Sequence, residues 1–261
     1  MIAPVIIATN KTQLTQFSGG KKAYPVYLTI GNIPKSLWCK PSQSACILIA
    51  YLPVESQLKA TGVSETERKN RMQRLFHEAM RLVLEPLIKA GKNGVEMTGA
   101  NGEVRWVHPL LTCYAADFPE QCLVTCTKYG TCPKCHKGSK NLQDPEPGDP
   151  HSWEWTLHVI ELAKKTSSKT AFYVSCMEND VSGSIYEPFW KGFPYCDIHM
   201  ATTPDILHQL YQGVIMHLIN WVQILMTEEE FDKQLCTLPP AFGVWHFSNG
   251  WSALSQISGT E

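Results

Sequence analysis

The sequence predicts an α/β fold, a mixed sheet built from three antiparallel strands, a helix and a further strand, with a mainly helical second half. Three observations predict it. Short runs rich in β-branched and aromatic residues fill much of residues 2–54. One apolar stripe at helical spacing then runs from Met72 to Ile88. Beyond residue 150 the apolar residues again recur at three- and four-residue spacing.

The first strand is IAPVIIAT, residues 2–9, apolar and branched from its start. A polar turn holding Gly19 and Gly20 leads to a second strand over residues 23–33, whose early Pro25 sits where a missing amide is tolerated. ACILIAYLPV, residues 45–54, is the third, ended by Pro53. Ser64 followed by Glu67 reads as a capping box opening a long helix, with Gly91 as its stop. Met72, Leu75, Phe76, Met80, Val83, Leu87 and Ile88 form its stripe, and the basic RKNRMQR reads as its solvated face. VEMTGANGEVRWV predicts a hairpin about Asn101-Gly102. LLTCYAAD follows as a further strand ending at Asp117, and Pro119 then opens a helix.

Residues 137–150 are loop by their prolines, glycines and acids. Trp153–Lys165 is helical, and the stretch to Phe193 reads as irregular. TTPDILHQLYQGVIMHLINWVQILM is the clearest late helix, with Thr203 as cap and Asp205 complementing its dipole. TEEEFDKQL is one more short helix. The expected organisation is residues 1–136 as the first part of a core, 137–203 as a loop and helical insertion, and 204–261 as a helical continuation of that core.

Composition excludes several classes. With 23 basic and 24 acidic side chains the chain has no global pull toward nucleic acid or anionic lipid, so such binding requires a local patch. No apolar run reaches the roughly 20 residues of a membrane span. The apolar start lacks the basic region and cleavage site of a secretion signal, so a nuclear or cytoplasmic, reducing location is expected. Both ends read as cut, and an oligomer is compatible with the sequence without being specified by it. Of ten cysteines, the isolated Cys39, Cys46, Cys113, Cys176 and Cys236 read as small buried hydrophobes. Cys122 and Cys126, four apart after Pro119, read as core as well.

The element order is that of an RNase H-like fold. Such folds place one acid at the first strand and a second at the end of the fourth, where carboxylates hold two Mg²⁺ ions for phosphodiester chemistry. Asp117 stands at the second place, and near the first stands Asn10.

The blocks ATNKTQLTQFSGGKKAYPVYLTIGNIPKS, AADFPEQCLVTC, TCPKC and TPDILHQLYQGVIMHLINW resemble the transposases of Plavaka elements. These are fungal DNA transposons of the Kyakuja–Dileera–Zisupton group, related to CACTA elements. The likeness runs in one order from Ile6 to Glu261. It implies a DDE-type core that cuts and joins DNA at transposon ends. It places the first acid at Asn10, the second at Asp117 and a third, on a later helix, at Glu261. It also places the motif written C/DxxH on Asp205 and His208. Asn10 departs from that pattern by removing a negative charge, and the usual N-terminal DNA-binding part is not within the sequence. An inactive core is therefore expected. A non-catalytic nucleic-acid- or protein-binding module, or a decayed reading frame, are the competing readings. A nuclear location follows from the resemblance alone.

The stretch DFPEQCLVTCTKYGTCPKCHKG holds the spacing of a zinc knuckle at Cys132 and Cys135, two soft thiolates on one turn. Asp205 and His208 share a helix face at i, i+3 and are candidate partners for a structural Zn²⁺. Cys196 and His199 are a rival pair with the same spacing, and buried thiols are the bland alternative. His136, His217, Trp221, Trp153 and Trp155 read as surface or packing residues.

Overall fold

The computed structural model describes residues 1–15, 21–38, 40–54, 62–141, 144–242 and 246–253. The Gly19-Gly20 turn, Cys39 and Glu261 lie outside the described residues. The chain forms two compact units, Met1–Thr203 and Pro204–Glu261. The fold is mixed α/β, and no helix among the described residues is long and apolar enough to cross a membrane.

In the first unit the strands are β1 (Ile2–Thr9), β2 (Thr12–Gln13), β3 (Lys22–Ala23), β4 (Pro25–Ile30) and β5 (Ile47–Tyr51), then β6 (Val95–Thr98), β7 (Val104–Ala115) and β8 (Thr202–Thr203). The main sheet has the order β5-β4-β1-β7-β6, with β8 also on β7. β5, β4 and β1 are antiparallel neighbours, whereas β1–β7 and β7–β8 are parallel. Of its three early strands, β1 matches the span expected from sequence, and β4 and β5 fall inside theirs, trimmed at both ends. The short β2–β3 pair is separate from the main sheet. The expected hairpin arm and the strand before Asp117 prove to be one twelve-residue strand, β7, which runs through Pro109 without a break.

β1 alternates strictly, with Ala3, Val5, Ile7 and Thr9 buried on one face. β7 carries one extra residue. Val5 pairs with Leu111, but Ile6 pairs with Cys113, so Thr112 is a bulge, its hydroxyl donating to the Val5 carbonyl at 3.2 Å. The bulge reverses the alternation, and Leu111 and Tyr114 both face the core although three residues separate them.

After the short helix α1 (Lys35–Trp38), the long helix α2 (Glu65–Asn93) lays Phe76, Met80 and Leu84 onto this face. Ser64 caps it by accepting the Glu67 amide at 3.2 Å, and the basic stretch pairs with acids of the same helix, as in Arg71–Glu67 at 2.9 Å. Gly91 does not stop the helix. It is buried within the last turns, where a Cβ would meet Pro109 O at 2.9 Å, so its role is close approach to β7. Gly94 ends the helix at φ 72°, and a Cβ there would strike the Trp106 indole. That indole Nε1 in turn donates to the Asn93 carbonyl at 2.9 Å, satisfying a terminal acceptor.

The helices that follow are α3 (Phe118–Thr125), α4 (Trp153–Ala163), α5 (Lys169–Glu178) and the short α6 (Ile198–Ala201). α5 lies in the stretch read as irregular; its apolar residues follow no clean stripe, and Phe172 and Cys176 pack against Val159, Ile160 and Ala163 of α4. Residues 179–197 have little regular structure yet supply Phe189 and Trp190 to the main core. Side-chain hydrogen bonds hold them there. Trp190 Nε1 donates to the Val124 carbonyl at 2.8 Å, and the Phe189 amide donates to His77 Nδ1 at 3.2 Å. Cys122, Cys126 and Cys176 are buried as expected, whereas Cys46 beside the edge strand is exposed.

In the second unit, Asp205 rather than Thr203 caps the late helix, by accepting the Leu207 amide at 3.0 Å. Thr203 instead belongs to β8. The helix begins as a π-helical segment, Ile206–Ile215, and continues as α7 (Met216–Leu225), followed by α8 (Glu228–Cys236). His217 and Trp221 stack on each other, and Cys236 is exposed near the end of α8.

His77 is the buried polar pin of the first unit. Its Nε2 donates to the Leu123 carbonyl at 2.9 Å while its Nδ1 accepts from Phe189, an arrangement only the neutral ring can make. Burial holds its pKa down to about 4. The unfolded chain binds the proton first, so stability is full above pH ~6.5 and falls as pH drops through about 4, by roughly 3 kcal/mol for this group. In His77→Gln, urea melts should show lower stability at pH 7 and a visibly flatter decline between pH 6.5 and 4.

Candidate functional site

The end of β1 and the end of β7 meet at one edge of the sheet. After the bulge the register pairs Ala8 with Ala115; continued two residues on each strand, it puts Asn10 level with Asp117. The bulge makes that match, since the register before it would set Asn10 against Ala116. Asn10 is exposed and Asp117 is half-buried. Asp117 ends the strand by capping α3, its Oδ1 accepting the Glu120 amide at 3.0 Å, with Pro119 in the first turn. Gln121 braces the same corner, its Nε2 donating to the carbonyls of Ala116 at 2.8 Å and Thr203 at 2.9 Å.

A second carboxyl stands behind the first. Glu120 is buried, and its side chain turns inward instead of back to the helix cap. Thr9 donates to its Oε1, Tyr24 hydrogen-bonds it, and Tyr114 shares the Thr9 hydroxyl at 2.8 Å. Burial pushes the Glu120 carboxyl up to about 8, with the Asp117 charge adding to it and Tyr24 opposing. Sequence gave only a weak signal for this residue, because Glu at the third position of a helix is ordinarily a solvent-facing capping partner. Beside this edge, partial burial lowers the pKa of Lys11, with the positive charges of Lys22 and Arg68 adding to it.

The cysteine turn lies elsewhere in the first unit. Cys132 and Cys135 are half-buried, and the Lys134 amide donates to Cys132 Sγ at 3.4 Å. Burial pushes the Cys132 thiol up, while the amides of Lys134 and Cys135 pull it back. The turn is bridged to the end of the following loop: Cys135 pairs with Pro150, the His136 backbone amide donates to the Asp149 carbonyl at 2.8 Å, and the His151 backbone amide donates to the Lys134 carbonyl at 2.9 Å. His151 is 3% exposed, and neither ring nitrogen makes a well-formed hydrogen bond, the ring lying against the Cys132 backbone. It stacks between His136, ring centroids 3.8 Å apart, and His199 at 5.1 Å. Trp155 packs edge-on against His136.

Of the other sequence candidates, His199 is buried with both nitrogens engaged, Nδ1 donating to Pro133 O and Nε2 bonded to the Thr156 hydroxyl, each at 2.8 Å. Cys196 is buried, its thiol pushed up to about 12 by burial. Asp205 and His208, in the second unit, do share a face, with His208 Nδ1 against Asp205 Oδ2. Among the described residues no three His, Cys, Asp or Glu side chains stand together in metal-coordinating geometry.

The Glu120 cluster predicts a graded response in denaturant melts. Glu120→Gln retains an acceptor for Thr9 and Tyr24 and should cost no more than about 1 kcal/mol. Glu120→Ala orphans both hydroxyls in the interior and should cost roughly 2–4 kcal/mol.

A comparison with curated proteins gives no match. The family profile described as Plavaka transposase matches residues 1–222, most of the chain and both ends of the sheet edge just described. The chain belongs to the Plavaka transposase family.

Proposed function

We propose that this chain is the core part of a transposon-derived DDE transposase on an RNase H-like sheet, and that Asn10 leaves it without two-metal catalysis. The observation that carries the reading is the bulged parallel register that levels residue 10 with Asp117. Strand order supports it as well: three antiparallel strands, then two added in parallel on the far side of the first.

Two Mg²⁺ ions held about 4 Å apart repel strongly, and clustered carboxylate charge is what offsets that repulsion. The donors at this edge do not suit such a pair. Asn10 offers a neutral amide, Asp117 already spends one oxygen on its helix cap, and Glu120 is buried and protonated near neutral pH. No chemical step is therefore assigned to these residues. Glu261, the expected third acid, lies outside the described residues.

A second reading rests on Lys11, next to Asn10 in the chain, and on Lys22 and Arg68, whose charges act on it, Arg68 being also paired with Glu65. Basic side chains there suit phosphate contact, so a protein that grips DNA without cutting it fits the same edge.

The unaltered chain should show no Mg²⁺- or Mn²⁺-dependent nicking of DNA carrying the matching transposon ends. Asn10→Asp should raise Mn²⁺ affinity measured by calorimetry, and adding Asp117→Asn should cancel that gain. Because Asn caps a helix as well as Asp, the second change should leave stability within about 0.5 kcal/mol, separating the ligand role from the cap. Metal-dependent cleavage by the unaltered chain, lost in Asp117→Asn, would overturn the inactive assignment.

A further inference from the structure

The cysteine turn and His151 carry an inference independent of the nuclease reading. A buried imidazole with both nitrogens unsatisfied loses hydrogen bonds that water would have supplied. His151 is close to that position: it is 3% exposed, neither Nδ1 nor Nε2 makes a well-formed hydrogen bond, and its polar contact is with the Cys132 backbone. It also sits directly across a β-bridge from the two thiols, because the backbone pairs Cys135 with Pro150 and Lys134 with His151. The Lys134 amide aimed at Cys132 Sγ is the contact that steadies a thiolate once it ligates a metal. His136 adds a second imidazole 3.8 Å from the His151 ring.

We propose that Cys132, Cys135, His136 and His151 form a tetrahedral structural site for Zn²⁺. Two thiolates and two imidazoles are a donor set that zinc accepts in closed, four-coordinate sites. The four side chains do not stand in metal-coordinating geometry. The bridge sets the backbones of Lys134–His136 and Asp149–His151 side by side. The rival donors are already engaged or elsewhere. His199 uses both nitrogens on Pro133 and Thr156, and Asp205 is occupied as a helix cap and contact of His208. The metal would also steady what the turn holds. Pro133 positions His199, and Lys134 Nζ donates to the carbonyls of His199 and Thr202, which lead directly into β8 beside the Asp117 corner.

Titration of the metal-free, full 261-residue chain with Co²⁺ tests this, since cobalt reports thiolate count and coordination number in its absorption. We expect about one equivalent, with thiolate charge-transfer bands and the intense visible bands of four-coordinate cobalt, displaced by Zn²⁺. Loss of even a supporting partner of a zinc ligand costs about 10–100-fold in affinity, so Cys135→Ser and His151→Ala should weaken binding by at least that much. His151→Cys should keep a four-coordinate spectrum with added thiolate intensity, which guards against mere misfolding of the alanine variant. The double variant Asp205→Asn, His208→Ala should bind as the parent does. No cobalt binding, a spectrum unchanged by His151→Ala, or one lost with Asp205 and His208 would each overturn the assignment.

Discussion

The structure turns on the parallel pairing of β1 with β7 and on the single extra residue, Thr112, inside it. A strand's side chains alternate, so a one-residue shift exchanges its faces. Below the bulge Leu111 faces the core; above it Tyr114 does. Tyr114 can then reach Thr9, and Thr9 can reach Glu120. The same shift sets Asp117 level with Asn10. Core packing and candidate site therefore share one register, and neither can be altered without the other.

Around that pairing the interior is unusually polar for a sheet–helix interface. Glu120, His77 and Gln121 are all buried, each tied to an element that propensity alone would leave loose. His77 fixes the Phe189 loop and the end of α3, Gln121 ties β7 to β8, and Glu120 ties β1 to α3. Buried polar groups of this kind stabilise little on balance, because desolvation offsets most of what each bond contributes. What they supply is specificity: a loop or strand end placed elsewhere would leave them unpaired.

Legibility from sequence followed the range of the interaction. The strands at residues 2–9 and 47–51 and the cap at Ser64 are local patterns, and they could be read. The helix stop could not: Gly91 and Gly94 look alike in sequence, and only the Trp106 indole and the backbone of Pro109 distinguish close approach from termination. Thr203 is a good cap by type, but pairing with Ala115 takes it into a strand, and Asp205 caps instead. That positions 10 and 117 come level could be expected, because each follows the end of an apolar strand run. Glu120 and His151 could not be picked out so, since burial and the lack of a well-formed hydrogen bond exist only in three dimensions.

Glu120 also bears on the proposal that Asn10 stands where a metal-binding carboxylate would. A carboxylate one helical turn from Asp117 would be well placed to replace it, were it free to ionise and turn outward. It is neither. Its neutral form is favoured by burial up to about pH 8, and rotating it out would strand the Thr9 and Tyr24 hydroxyls. Gathering a dication would have to offset both costs at once, without the help of a charged neighbour at position 10. The carboxyl that ties β1 to α3 is thus not available to the metal pair proposed above for this edge, and among the described residues no metal-holding group of His, Cys, Asp or Glu stands there.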